Sequence, residues 1–126
     1  MLIKAYKQMK NAAGYSAEGL MFMLRNEFAA RLEIYIFVTT MVIFALLKVP
    51  FTSFMIAVIL MLTLMAMESL NTAIEVMIDH ISPEISPVGK HAKDLGSFSV
   101  MCLLFVNLIY GFYVILTSNF VQGLIT

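Results

Sequence analysis

The sequence predicts an all-α membrane protein, with three membrane-crossing helices preceded by an amphipathic surface helix. Three observations carry this reading. Hydrophobic residues make up 61% of the 126-residue chain and charged residues only 13%, against roughly half and a quarter in a soluble domain. Mean hydropathy is +0.92. The apolar residues fall into three runs, each matching the ~20 residues that a crossing helix needs. Such a chain is expected to form one domain over residues 1–126. A water-soluble globule and a disordered chain are both excluded.

The surface helix covers about residues 1–26. Leu2, Tyr6, Met9, Ala13, Leu20 and Leu24 recur at three- and four-residue steps or multiples of them, with Lys4, Lys7, Asn11, Glu18 and Arg25 on the other face. Basic residues on the polar face suit an anionic lipid surface. The first span runs over about 29–48 and stops at Lys48-Val49-Pro50, because proline disfavours a helical residue before it. The second runs over about 51–81; it is uncharged through Met67 and keeps helical periodicity through Glu68–Ile81. The prolines and serines of Ser82–Pro87 mark a loop. The third span covers about 92–120, within a stretch from Leu95 to Thr126 that carries no charge.

Seven of the eight Lys and Arg residues lie in the surface helix, at the start of span one or before span three, and Lys48 alone lies on the other side. The positive-inside rule therefore places the N terminus and the 82–94 loop in the cytoplasm. A net charge of zero gives no basis for nucleic-acid binding. Cys102 is the sole cysteine, which excludes an intrachain disulfide and reads as a small apolar packing residue. With eleven Met and no Trp, an interfacial aromatic belt falls to Tyr6, Tyr15, Tyr35, Tyr110 and Tyr113. The first twenty residues lack the continuous apolar core of a signal peptide.

The chemistry concentrates in the second span. At 100° per residue, Glu68, Asn71, Glu75 and Asp79 fall at about 0°, −60°, −20° and +20°, a single stripe on its cytoplasmic half. An acid at the middle of a membrane helix costs about 2.5–3.5 kcal/mol on insertion scales. A cation, a basic partner, water or protonation must compensate. Glu27, before span one, and Lys93-Asp94, before span three, lie at the same depth. The group suits a hard cation such as Mg²⁺, which shares oxygen ligands with nucleotide phosphates; interhelical polar contact is the plainer alternative. No Walker motif is present, since Gly14-Tyr15-Ser16-Ala17-Glu18-Gly19 is followed by Leu20-Met21. His80 and His91 have no zinc-ligand spacing and read as interfacial residues.

These residues resemble the prokaryotic diacylglycerol kinase family along essentially the whole chain. The resemblance rests on Ala12-Ala13-Gly14-Tyr15-Ser16 with Gly19-Leu20, then Asn26-Glu27, Arg31 and Glu33. It continues through Glu68-x-x-Asn71-x-Ala73-Ile74-Glu75 with Asp79, and through Ala92-Lys93-Asp94-x-Gly96-Ser97. It implies a homotrimer in the bacterial inner membrane that transfers the γ-phosphoryl group of ATP, with Mg²⁺, to diacylglycerol. Glu68 then matches the general base, and Glu27 and Glu75 match the metal-holding pair, which also contacts ATP. Tyr15, Glu84, Ser86, Lys93 and Asp94 match the nucleotide site. Gln8 stands where the family commonly has an arginine of that site. Ser16, Arg31 and Ser97 match positions near the lipid headgroup, while Asn71 and Asp79 support the stripe. Two other functions remain as alternatives. One is the same transfer to a polyprenol such as undecaprenol, and the other is a non-enzymatic cation carrier or structural membrane subunit.

Overall fold

A backbone in hydrocarbon has no water to bond, so a crossing segment closes its hydrogen bonds within a helix. The computed structural model describes all 126 residues and folds them into α1 (Leu2–Asn26), α2 (Phe28–Leu46), α3 (Phe51–Ile81), α4 (Pro87–Thr117) and α5 (Asn119–Ile125). By length and composition, α2, α3 and α4 are each able to cross a membrane. At 1.5 Å per residue, the 31 residues of α3 and of α4 span about 46 Å. A hydrocarbon core is ~30 Å thick, so both helices outrun it by several turns. Counted from Phe51, Glu68 falls in the last turn of such a crossing, and Asn71, Glu75 and Asp79 fall in the surplus beyond it.

α3 and α4 pack as an antiparallel pair along most of their length. The side-chain amide of Asn107 on α4 donates to Leu60 O on α3 (3.1 Å), and the Tyr110 hydroxyl donates to Ser53 O (3.3 Å). α2 packs at both ends, with Ala30 and Glu33 buried near the acids and Phe44 buried at the opposite end. There Phe44, Ala57 and Val114 form the buried apolar cluster, with Phe54 edge-on to Phe44 at 5.7 Å. Between these ends the three helices leave a cavity of about 220 Å³, lined by Ile36, Phe37, Met61 and Asn107, bounded by Glu33 on one side and reaching Phe44 on the other. α1 contacts the bundle near its C-terminal end, and Met23 is its one buried residue. In all, 14 of 126 residues are buried, so most of the apolar surface must be covered by lipid or by further protein.

The joints are set by local hydrogen bonds. Glu27 is extended and separates α1 from α2. Across that break the Arg31 guanidinium donates to Leu24 O (2.8 Å) and Arg25 O (3.2 Å), carbonyls that a helix end otherwise leaves unpaired. At the far end of α2, Val49 N–H donates to Phe44 O and Lys48 N–H to Ala45 O, both at 3.2 Å. This is a Schellman closure, with Val49 packed on the cluster of Phe44. It holds Lys48 at φ 53°, in the left-handed region that favours glycine. Lys48→Gly is therefore expected to stabilise the protein by about 0.5–1 kcal/mol, net of glycine's greater freedom when unfolded. Denaturant titration in detergent micelles checks this.

Two boundaries differ from the sequence reading. The sequence places the start of the third span at about 92, with Pro87 still in the loop, but α4 begins at Pro87. Ser86 caps it by accepting from Gly89 N–H (3.0 Å), and Pro87 occupies the first turn, where no N–H is needed. The third apolar run was expected to continue to about 120, but α4 ends at Thr117. Thr117 and Ser118 donate their hydroxyls to Tyr113 O and Ile115 O, each at 2.7 Å, and Gln122 Nε2 donates to Leu116 O at 2.6 Å. These local side-chain bonds compete with continuation of the helix, and α5 starts afresh beyond Ser118.

Candidate active site

Along the stripe on α3, Glu68, Asn71 and Glu75 face inward, while Asp79 is exposed. Glu68 is 3% exposed, Asn71 and Thr72 are buried beside it, and Glu75 is half-buried. Two further acids approach from outside α3. Glu27, at the α1–α2 joint, and Glu75 both lie within electrostatic range of Glu68, and the buried Glu33 of α2 lies within range of it as well. The chain forms two ion pairs, Lys90 with Asp94 (2.5 Å) and Lys93 with Asp79, and neither includes these four glutamates. No Lys or Arg of the same chain is thus ion-paired with any of the four. No three His, Cys, Asp or Glu side chains of the chain converge as a metal-binding group.

Asn71 links this cluster to α4. Its Nδ2 donates to Glu75 Oε1 (3.3 Å). A carboxylate accepts only, which fixes this orientation of the amide. Asn71 Oδ1 then turns toward Gly96 of α4, where it is buried without a hydrogen-bond partner. Glu33 Oε2 and Thr72 Oγ1 are likewise buried and unpartnered.

A second polar feature lies at the tip of the α3–α4 pair. A cleft of about 240 Å³ is lined by Asp79, Ser82, Glu84, Ser86, Lys90, Lys93 and Asp94. The Ser82 hydroxyl donates to Glu84 Oε1 (2.9 Å) and lies 3.2 Å from Ser86 Oγ. The backbone N–H of Glu84 itself, and next the Ser82 hydroxyl, hold the Glu84 carboxyl below the usual carboxylate range. Glu84 is accordingly ionised at neutral pH. The cleft therefore holds two ammonium groups, each paired with an aspartate, and several acceptors within one opening.

The fold thus gathers Glu27, Glu68, Asn71 and Glu75 into one group and Asp79, Glu84, Ser86, Lys93 and Asp94 into another. Within the single chain, Gln8, Tyr15 and Ser16 lie on exposed turns of α1, where Ser16 donates to Ala12 O (3.0 Å). Ser97 is on an exposed face of α4, and the Arg31 guanidinium is engaged at the α1–α2 joint. The structure adds Glu33 to the first group and Lys90 to the second. Glu33 carried a signal in the sequence, an acid inside an otherwise apolar run. Lys90 carried none beyond its place near the loop.

Residues 14–115 match the description of the prokaryotic diacylglycerol kinase family. A diacylglycerol kinase from Sinorhizobium sp is 42% identical over 111 residues, covering 88% of this chain and 80% of that protein. One from Haemophilus influenzae is 34% identical over 110 residues, covering 80% and 86%. One from Escherichia coli is 33% identical over 104 residues, covering 82% and 85%. The matched segment contains both polar groups, and with it the chain belongs to the prokaryotic diacylglycerol kinase family.

Proposed function

We infer that the chain is a diacylglycerol kinase that forms phosphatidate from diacylglycerol and ATP at the cytoplasmic face of the bacterial inner membrane. The observation that carries this is the pairing of a buried carboxylate group, ion-paired with no Lys or Arg of the chain, with a polar lysine-bearing cleft at the same end of one helix pair. The names of the relatives support diacylglycerol as the acceptor over a polyprenol.

Glu68 is the general base. The lipid hydroxyl oxygen attacks the γ-phosphorus, its proton passes to the Glu68 carboxylate, and the bond from the γ-phosphorus to the bridging oxygen breaks to release ADP. Glu27 and Glu75 offer hard oxygen ligands without a cationic partner in the chain, which fits Mg²⁺ held by one or two carboxylates together with phosphate oxygens. Held by these two carboxylates, Mg²⁺ would supply neutralisation of charge on the phosphates. Asn71 orients Glu75 through its amide. Lys93 binds phosphate oxygens as a point charge, with Asp94, Glu84, Ser86, Tyr15 and Gln8 completing the nucleotide site. Ser16, Arg31 and Ser97 lie toward the lipid headgroup, and Asp79 holds Lys93.

The protein acts as a homotrimer. The exposure of most span surface in a single chain supports assembly, and neighbouring copies would close the open side of the carboxylate group. α1 lies along the membrane surface, where its exposed Leu2, Tyr6 and Met9 can enter the interface.

Phosphotransfer from γ-labelled Mg-ATP by the purified protein, in mixed micelles with diacylglycerol or undecaprenol offered separately, tests this function. Labelled phosphatidate is the expected product. Labelling of undecaprenol alone would replace the acceptor, and labelling of neither by the assembled protein would overturn the reading.

A further inference from the structure

Gly96 lies on the face of α4 that meets Asn71, and it is buried there. A Cβ built on Gly96 would collide with Asn71 Oδ1 and stand 3.3 Å from its Cγ; the next neighbour is Ile74 Cδ1 at 3.6 Å. The collision thus falls on the end of one side chain and on no backbone atom. That side chain is 9% exposed, its Oδ1 has no partner, and its Nδ2 is the donor to Glu75. Oδ1 and Nδ2 belong to one planar amide. Displacing the oxygen from α4 therefore turns the nitrogen away from Glu75.

We propose that Gly96 is a positioning residue for the phosphoryl transfer: its bare Cα leaves room for the Asn71 amide oxygen to point into α4, which aims Nδ2 at Glu75. The glycine is needed here for close approach, because it is helical and has no positive φ. A Cα–H is all that it presents to Oδ1 in this direction, a weak donor at best. The oxygen's burial without a strong partner is the cost of holding the nitrogen in place. This inference rests on the assignment of Glu75 as a metal-holding carboxylate.

The test is a cycle of Gly96→Ala, Asn71→Ala and the double variant in the full-length protein. Gly96→Ala is expected to assemble and to keep its helicity, while kcat falls ~10- to 100-fold, the scale of an ångström-level misplacement in an active site. In the Asn71→Ala background the same substitution is expected to cost nothing further. A readout independent of turnover is the side-chain NH₂ resonance of Asn71 in a ¹H–¹⁵N spectrum. Glu75→Gln should shift it in the parent protein but leave it unmoved in Gly96→Ala. Assembly of the double variant where Gly96→Ala alone fails to assemble would also support the proposal, since removing the amide removes the collision. Losses that multiply in the double variant, a kcat within twofold of the parent, failure of both variants to assemble, or an unaltered NH₂ response would each overturn it. If Glu75→Gln leaves the Mg²⁺ response unchanged while the resonance behaves as expected, the assignment of Glu75 fails and the packing inference stands.

Discussion

Replacing Glu68 with glutamine is expected to lower kcat by about 10²- to 10⁴-fold, the usual contribution of a positioned general base. Glutamine keeps the shape of the side chain and removes its capacity to take a proton. The distinguishing feature of this variant is its stability. Glu68 is buried among Glu27, Glu33 and Glu75 with no Lys or Arg of the chain paired to them. Removing one of several neighbouring negative charges relieves repulsion, so the melting temperature should hold or rise while turnover collapses. Such opposition between activity and stability marks a site kept for chemistry. Thermal unfolding in micelles, nucleotide binding and single-turnover phosphotransfer together check it. A variant that loses assembly along with turnover would make Glu68 a structural residue.

Glu75→Gln is expected to act through the metal. Turnover at ordinary Mg²⁺ should fall by at least about 100-fold, since even the outer partners of metal ligands cost 10–100-fold when lost. Part of the loss should be recovered as Mg²⁺ is raised, because Glu27 remains. Glu27→Gln should show the same displaced Mg²⁺ titration. The Asn71 amide can still donate to the glutamine carbonyl, which separates loss of charge from loss of the hydrogen bond. An unchanged Mg²⁺ titration curve would reject Glu75 as a ligand.

Much of this architecture was legible because the bilayer imposes strong local rules. Apolar runs longer than a crossing, broken at Pro50 and at the Ser82–Ser86 loop, locate the three long helices without tertiary information. The grouping of Glu68, Asn71 and Glu75 follows from helical geometry alone. What escaped depends on contacts between helices or on subtle capping. Glu33 joins the acids only because α2 lies against α3. The place of Gly96 follows from the depth to which Asn71 enters α4. The break at Ser118 has no proline or glycine to announce it within an uncharged apolar stretch; it depends on hydroxyl bonds that also form within continuous helices. The resemblance of motifs supplied the roles of Tyr15 and Ser16, which a single chain leaves apart from the two polar groups.

The uneven packing of the three long helices also bears on how the molecule moves and forms. The α3–α4 pair is joined by a short loop, so the turns nearest that loop can meet early, while far contacts such as Tyr110 to Ser53 close across 57 residues. α2 is buried only at Ala30, Glu33 and Phe44, with the cavity between them. The pair should therefore behave as the rigid body, with α2 as the less extensively held helix beside it. Such a weakly held element opens at lower free energy than the whole fold. Each opening would carry Glu33 away from Glu68, widening the space between them without unwinding a single turn of α3.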